Sequence, residues 1–171
     1  MDQFSKTKIG LRFGVPTGIV YMLVLVGRYK FGETQAQLVI GSIVGYAIVV
    51  LLFFLAAVAR KKQLGGFASL RELFGTIFIV ILITEFCFAV FNIVYLRYID
   101  PGYLERFGRQ TLAWMQQSNV PEKELETFRQ ALQEQKQVGI GTLVFGFAQA
   151  VIVDSVLGLI IAFILKKNKP V

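Results

Sequence analysis

Histidine is absent from this 171-residue chain, and cysteine occurs once, at Cys87. The first absence removes histidine-based acid–base chemistry and the commonest metal ligand. The second leaves no intrachain disulfide, and a lone cysteine within an apolar stretch reads as a small hydrophobe. Charge is scarce too: 17% of residues are Asp, Glu, Lys or Arg, against about 25% in an average soluble domain. Gly65-Gly66 is not a phosphate loop, because no Lys-Ser/Thr follows at the required spacing. No His base or activating Lys lies near a Ser, so nucleophilic hydrolysis has little support. Lys6, Lys8 and Arg12 precede an apolar run as in a signal peptide, but no small-residue cleavage site follows. Val26 leads instead into Gly27-Arg28-Tyr29-Lys30, and the run reads as a retained first span. The chain shows no internal repeat or low-complexity tract. The expectation is a protein that is not an enzyme, with no cofactor and no metal.

What the chain does contain is apolar surface. Mean hydropathy is +0.62, 55% of residues are apolar, and the charges cluster in a few blocks. That pattern means membrane spans separated by wet loops, in a single domain at most. The net charge of +7 collects at span ends, so it argues for topology and not for nucleic-acid binding.

Four spans are expected, at about residues 9–28, 38–59, 73–98 and 138–165, since a bilayer crossing needs roughly 20 apolar residues. Gly10, Gly14 and Gly18 recur every fourth residue on the first span, and Gly41 and Gly45 repeat the spacing on the second. Such stripes let another helix approach closely. Pro16 is placed near the start of span one, where a missing N–H costs little. The short loop from Arg28 to Gln37 forces the next span to run antiparallel. After span two, Arg60-Lys61-Lys62 leads to a Gly65-Gly66 turn, and Ser69 with Glu72 has capping-box spacing for span three. The fourth span carries Gly146, Ala150, Asp154, Gly158 and Ala162 on one face, small except for the aspartate.

From Arg97 at the end of span three to Gln137 before span four, the chain holds six acids and six bases. Asp100-Pro101 is a helix start by composition, with an N-cap acceptor followed by proline. Leu104, Phe107, Thr111, Trp114 and Met115 recur at helical spacing, Ser118-Asn119 breaks the helix, and Pro121 opens another. This predicts a helical hairpin outside the bilayer, its apolar stripes packed together or lying on the membrane. Tyr29, Phe31, Tyr95, Tyr98 and Tyr103 at span ends read as an interfacial aromatic belt. Ten basic residues lie in the N-terminal segment, the linker of residues 60–72 and the tail, against Arg28 and Lys30 in the other short loop. By the positive-inside rule both termini are cytoplasmic and the hairpin is outside. The predicted architecture is therefore an all-α integral membrane four-helix bundle with an extracytoplasmic hairpin.

Apart from Arg97 near its outer end, one charge interrupts the third span: Glu85, with twelve uncharged residues before it from Leu73 and eleven after it. At 1.5 Å per residue it lies about 18 Å from the linker end of its helix, and Asp154 lies about 16 Å from that end of its own. Both fall near the middle of a hydrocarbon core about 30 Å thick. No Lys or Arg occupies the cores of spans two to four. If the acids face each other, burial and mutual repulsion predict a shared proton or two neutral groups. Asn92, seven residues beyond Glu85, Gln149, about a turn above Asp154, and Tyr46 on span two offer further polar groups near this site. Two readings of the pair stand side by side: a neutral clasp between spans, or a proton or cation site inside the bundle.

Arg60-Lys61-Lys62 followed by Gly65-Gly66-Phe67 and Arg71-Glu72, then Tyr98-Ile99-Asp100-Pro101 with Leu104-Glu105, the hairpin, and the closing run from Leu157 to Lys167 form an ordered set. In that order and spacing the chain resembles a family of small four-span membrane proteins catalogued as domain of unknown function 4199, over nearly its whole length. The resemblance implies a bacterial inner membrane and supplies no activity, cofactor or site residue. Two functions are weighed from the residues. One is a structural or accessory component that packs through its glycine stripes with itself or with a membrane complex. The other is a small proton- or cation-coupled transport protein using Glu85 and Asp154.

Overall fold

The computed structural model describes residues 2–32, 34–134 and 140–168, so the expected start of span four at 138, the end of the hairpin at 137 and Lys169 of the tail lie outside the described residues. Six α-helices follow one another: α1 (Asp2–Phe31), α2 (Gln35–Gln63), α3 (Leu70–Val94), α4 (Tyr103–Gln117), α5 (Glu122–Glu134) and α6 (Ile140–Leu165). Helices α1, α2, α3 and α6 are each long and apolar enough to cross a bilayer. The protein is an all-α integral membrane bundle. One end of it gathers the start of α1, the α2–α3 linker and the tail after α6; the other carries the α4–α5 hairpin.

Local chemistry explains the helix boundaries. At α3, Ser69 accepts from the Glu72 amide at 3.4 Å while the Glu72 carboxylate accepts from the Ser69 amide at 2.8 Å, the reciprocal capping box its spacing predicts. Thr34 and Gln37 form a second box at α2, with bonds of 3.2 and 3.0 Å. Between the two helices, Gly65 and Gly66 take φ of +73° and +88°, a left-handed region that glycine enters without steric cost. Next to that turn, Ala68 and Lys167 exchange backbone hydrogen bonds of 2.9 and 3.0 Å, joining the linker to the tail.

Three local expectations need correction. Helix α1 begins at Asp2, so Pro16 lies well inside it and not near its start; the polar residues before the apolar run carry on the backbone bonding. Helix α4 starts at Tyr103 after Gly102 with no side-chain cap. The expected cap, Asp100, gives its carboxylate to the Arg106 guanidinium, and the chain reaches it through a π-helical turn, Tyr95–Ile99. Of the aromatic residues at the span ends, Phe31 and Tyr98 are exposed, as a belt requires. Tyr29, Tyr95 and Tyr103 instead pack against one another at tilted and edge-on angles, with centroids 4.7 Å (Tyr29–Tyr95) and 4.4 Å (Tyr29–Tyr103) apart. They fasten α1 and the π-helical turn after α3 to the start of α4. The hairpin helices pack together at Gly108, where an added Cβ would stand 2.5 Å from Leu132.

The bundle is organised around α3. Gly10, Gly14 and Gly18 of α1 face Ile79, Ile83 and Cys87, and a Cβ at any of the three would come within 2.4–2.8 Å of them. Both series climb by four residues together, so α1 and α3 run parallel, as the first and third crossings of an alternating chain must. On the other side of α3, Gly158 of α6 lies against Ile77 and Ile81. A dry core of Val49, Phe53, Ala57, Leu73, Ile77 and Ala162 fills the half nearer the linker. Directly above it, toward the hairpin, the polar residues begin.

Candidate functional site

The antiparallel register that seats Gly158 against Ile81 brings Asp154, one turn closer to the hairpin, level with Glu85, one turn further along α3. Both acids are buried, at 3% and 5% exposure, and their carboxyl groups lie within hydrogen-bonding reach of each other. From α2, the Tyr46 hydroxyl donates to Asp154 Oδ1 at 2.6 Å. From α1, Tyr21 stacks on Phe88, three residues along α3 from Glu85, with centroids 5.2 Å apart. Helices α2, α3 and α6 therefore contribute to one polar cluster, and α1 packs Tyr21 beside it.

Asp154 Oδ2 is buried and receives no hydrogen bond from any hydroxyl, amide or cation among the described residues. An ionised carboxylate only accepts, so two carboxyls in contact can bond only when one carries a proton. The arrangement fits a pair holding a proton between them, with the tyrosine hydroxyl completing the other oxygen of Asp154. Thr84 Oγ1 and Ser155 Oγ, adjacent in sequence to the acids, are likewise buried without a partner. Among the described residues no group of three or more Cys, Asp or Glu converges to hold a metal ion.

Other residues singled out from the sequence lie elsewhere. Asn92 does not join the acids: its Oδ1 accepts from the Tyr29 hydroxyl, and its Nδ2 donates to the Phe88 carbonyl at 2.8 Å. Sharing a helix face with Glu85 puts it two turns higher, where the aromatic cluster claims it. Gln149 is exposed on α6, and Ala150 is half-buried. Gly45 is closely packed, a Cβ there meeting Val24 at 2.5 Å, but Gly41 has only the Arg28 stem at 4.0 Å and Gly146 has nothing within 4 Å. Helix α6 thus touches α3 in its linker half and stands clear around Gly146. Sequence reading missed Tyr21, although its position three residues after Gly18 continues the stripe that faces α3.

A family model described as "Protein of unknown function (DUF4199)" matches residues 12–167. No curated protein and no solved structure matches the chain.

Proposed function

Because the chain belongs to the DUF4199 family, whose description assigns no activity, we propose its role from geometry: a non-enzymatic accessory component of a bacterial inner membrane. It packs with a second copy or with a larger membrane complex, both termini cytoplasmic and the hairpin outside. The observation that carries this reading is the hairpin-side half of α6. Glycines 10, 14, 18, 45 and 158 are used up inside the bundle, whereas Gly146 faces open space and Gln149 presents an amide outward from a spanning helix. An unbonded amide in hydrocarbon is costly, and a hydrogen bond across a helix pair at a small-residue contact relieves it. The acid pair is then the clasp that holds α2, α3 and α6 in register. The basic residues at the linker end support the orientation. Purification in mild detergent with mass determination tests the association: a dimer or a stoichiometric partner that is lost in Gln149→Leu supports it. A wild-type protein that is monomeric and partner-free refutes it.

A second reading rests on the orphan oxygen of Asp154. A neutral amide would clasp helices as well as an acid does, so two buried acids that hold one proton suit a site that gains and loses it. In this reading the protein couples proton movement to transport. Proton flux into liposomes that vanishes in Glu85→Gln with Asp154→Asn supports it, and equal flux with and without those changes removes it.

A further inference from the structure

At the hairpin end of α1, Arg28 is half-buried and its Nε is shut off from solvent with no hydrogen-bond partner. No ion pair involving Arg28 is found among the described residues. A buried guanidinium N–H without an acceptor is expensive, more so because it belongs to a permanent cation. The Arg28 charge also reaches Tyr29 and Tyr103, and the Tyr103 hydroxyl is a second buried group with no partner. Burial pushes that phenol above its ordinary titration range, with the Arg28 charge opposing the shift. Two donors without acceptors therefore sit in one corner of the molecule, on elements that the tyrosine cluster holds together.

Arg28 also lines the wide part of a groove between α1 and α2, a cavity of about 240 Å³. The helices touch at its narrow end, where Val24 fills the place a Cβ of Gly45 would take. Beyond that contact they part, with Gly27 meeting nothing within 4 Å and Gly41 meeting only the Arg28 stem, and they close again at the loop, where a Cβ of Gly32 would meet Leu38 at 2.4 Å. Val44 and Phe31 on the rim are exposed. From Gln37 to Gly45 the groove runs about 12 Å along α2, most of the depth of one leaflet, since the hydrocarbon core is about 30 Å across. Its walls are apolar, and it opens sideways where lipid tails surround the bundle.

We propose that this groove is a phospholipid site, in which one acyl chain of a lipid in the hairpin-side leaflet lies between α1 and α2 and its phosphate accepts from the Arg28 guanidinium. The apolar slot alone would take any chain, and the cation alone any anion. Their juxtaposition at interfacial depth selects a molecule with a long tail and a phosphate at its head. Guanidinium and phosphate match as charge-assisted partners.

The test is lipid retention. The full chain is reconstituted in vesicles of phosphatidylglycerol and phosphatidylethanolamine, extracted in mild detergent, and weighed by native mass spectrometry. Wild type is expected to keep one phospholipid per chain. Arg28→Gln is expected to lower that occupancy about tenfold or more, the loss expected of one charge-assisted hydrogen bond. Gly41→Leu leaves the guanidinium in place and fills the slot, with no backbone in its way, and is expected to expel the lipid equally. Gly41→Leu keeps the question answerable should Arg28→Gln fail to fold. Full retention by a folded Gly41→Leu variant overturns the site, as does wild type without lipid. Displacement of the lipid from wild type by excess inorganic phosphate also overturns it, since the chain would then contribute nothing.

Discussion

The close approach of α1 to α3 can be measured one methyl group at a time. A Cβ added at Gly10 would stand 2.4 Å from Ile79 Cγ2 and 2.8 Å from Ile79 Cβ. Isoleucine branches at Cβ, so rotating its side chain cannot clear both atoms and the helices must move apart. Overpacking of this kind costs about 1–3 kcal/mol, partly offset by about 0.5–1 kcal/mol from replacing glycine with alanine within a helix. At Gly146, where nothing lies within 4 Å, only the favourable part applies. Gly146→Ala should therefore stabilise by about 0.5–1 kcal/mol, and Gly10→Ala should fall about 1–3 kcal/mol below it. The decisive measurement is the double-mutant cycle with Ile79→Gly, which removes both the Cγ2 and the Cβ that the new methyl would meet. In that background Gly10→Ala should behave like Gly146→Ala, giving a coupling energy of about 1–3 kcal/mol. Unfolding in detergent, followed by circular dichroism, reads all four corners. Additivity within about 0.5 kcal/mol would show that Gly10 and Ile79 are not in contact, and the parallel α1–α3 register would fall with it.

Three further expectations concern the caps, the clasp and the topology. Ser69→Ala removes one half of the capping box at α3 and should cost about 1 kcal/mol in the same unfolding assay; an unchanged midpoint would mean that the linker does not need that cap. Tyr46→Phe deletes the 2.6 Å donor to Asp154 and should cost about 1 kcal/mol, whereas Glu85→Leu strands Asp154 and should cost about 1–3 kcal/mol. Glu85→Gln, which brings its own N–H to Asp154, should stay near wild type, and equal losses for Leu and Gln would refute the pairing. In a Cys87→Ala background, single cysteines at Glu124 and Asn168 should react with an impermeant maleimide from opposite faces of the membrane. Labelling of both from one face would refute the crossing by α6 between them, and labelling of position 124 from the cytoplasmic face with 168 outside would invert the positive-inside assignment.

Much of the bundle was legible along the chain. Four long apolar runs, the Ser69–Glu72 box, the Gly65-Gly66 turn and the break at Ser118-Asn119 are local features, and each arose where its chemistry predicts. Asp100 misled because a carboxylate can cap a helix or meet an arginine, and Arg106, one turn into α4, took it. Pro16 misled because the polar residues before an apolar run can extend a helix into water as readily as end it. Tyr29, Tyr95 and Tyr103 read as a belt because an aromatic ring at a span end looks the same whether it meets headgroups or other rings. The Arg28 groove has no sequence signal, since its walls are ordinary spanning residues and its meaning lies in an unpaired nitrogen.

Depth is what the amino-acid sequence determined unaided: counting residues from the charged ends placed Glu85 and Asp154 at one level, because an α-helix rises by a constant step. Azimuth was decided only by the tertiary structure. In water a polar face marks the outside of a helix, but in lipid the outer face is as apolar as the core, so periodicity no longer tells them apart. Steric fit therefore chose the neighbours, glycine against isoleucine on one side of α3 and glycine against the dry core on the other. That choice turned the two acids toward each other, sent Asn92 to a tyrosine, and left Gln149 facing out.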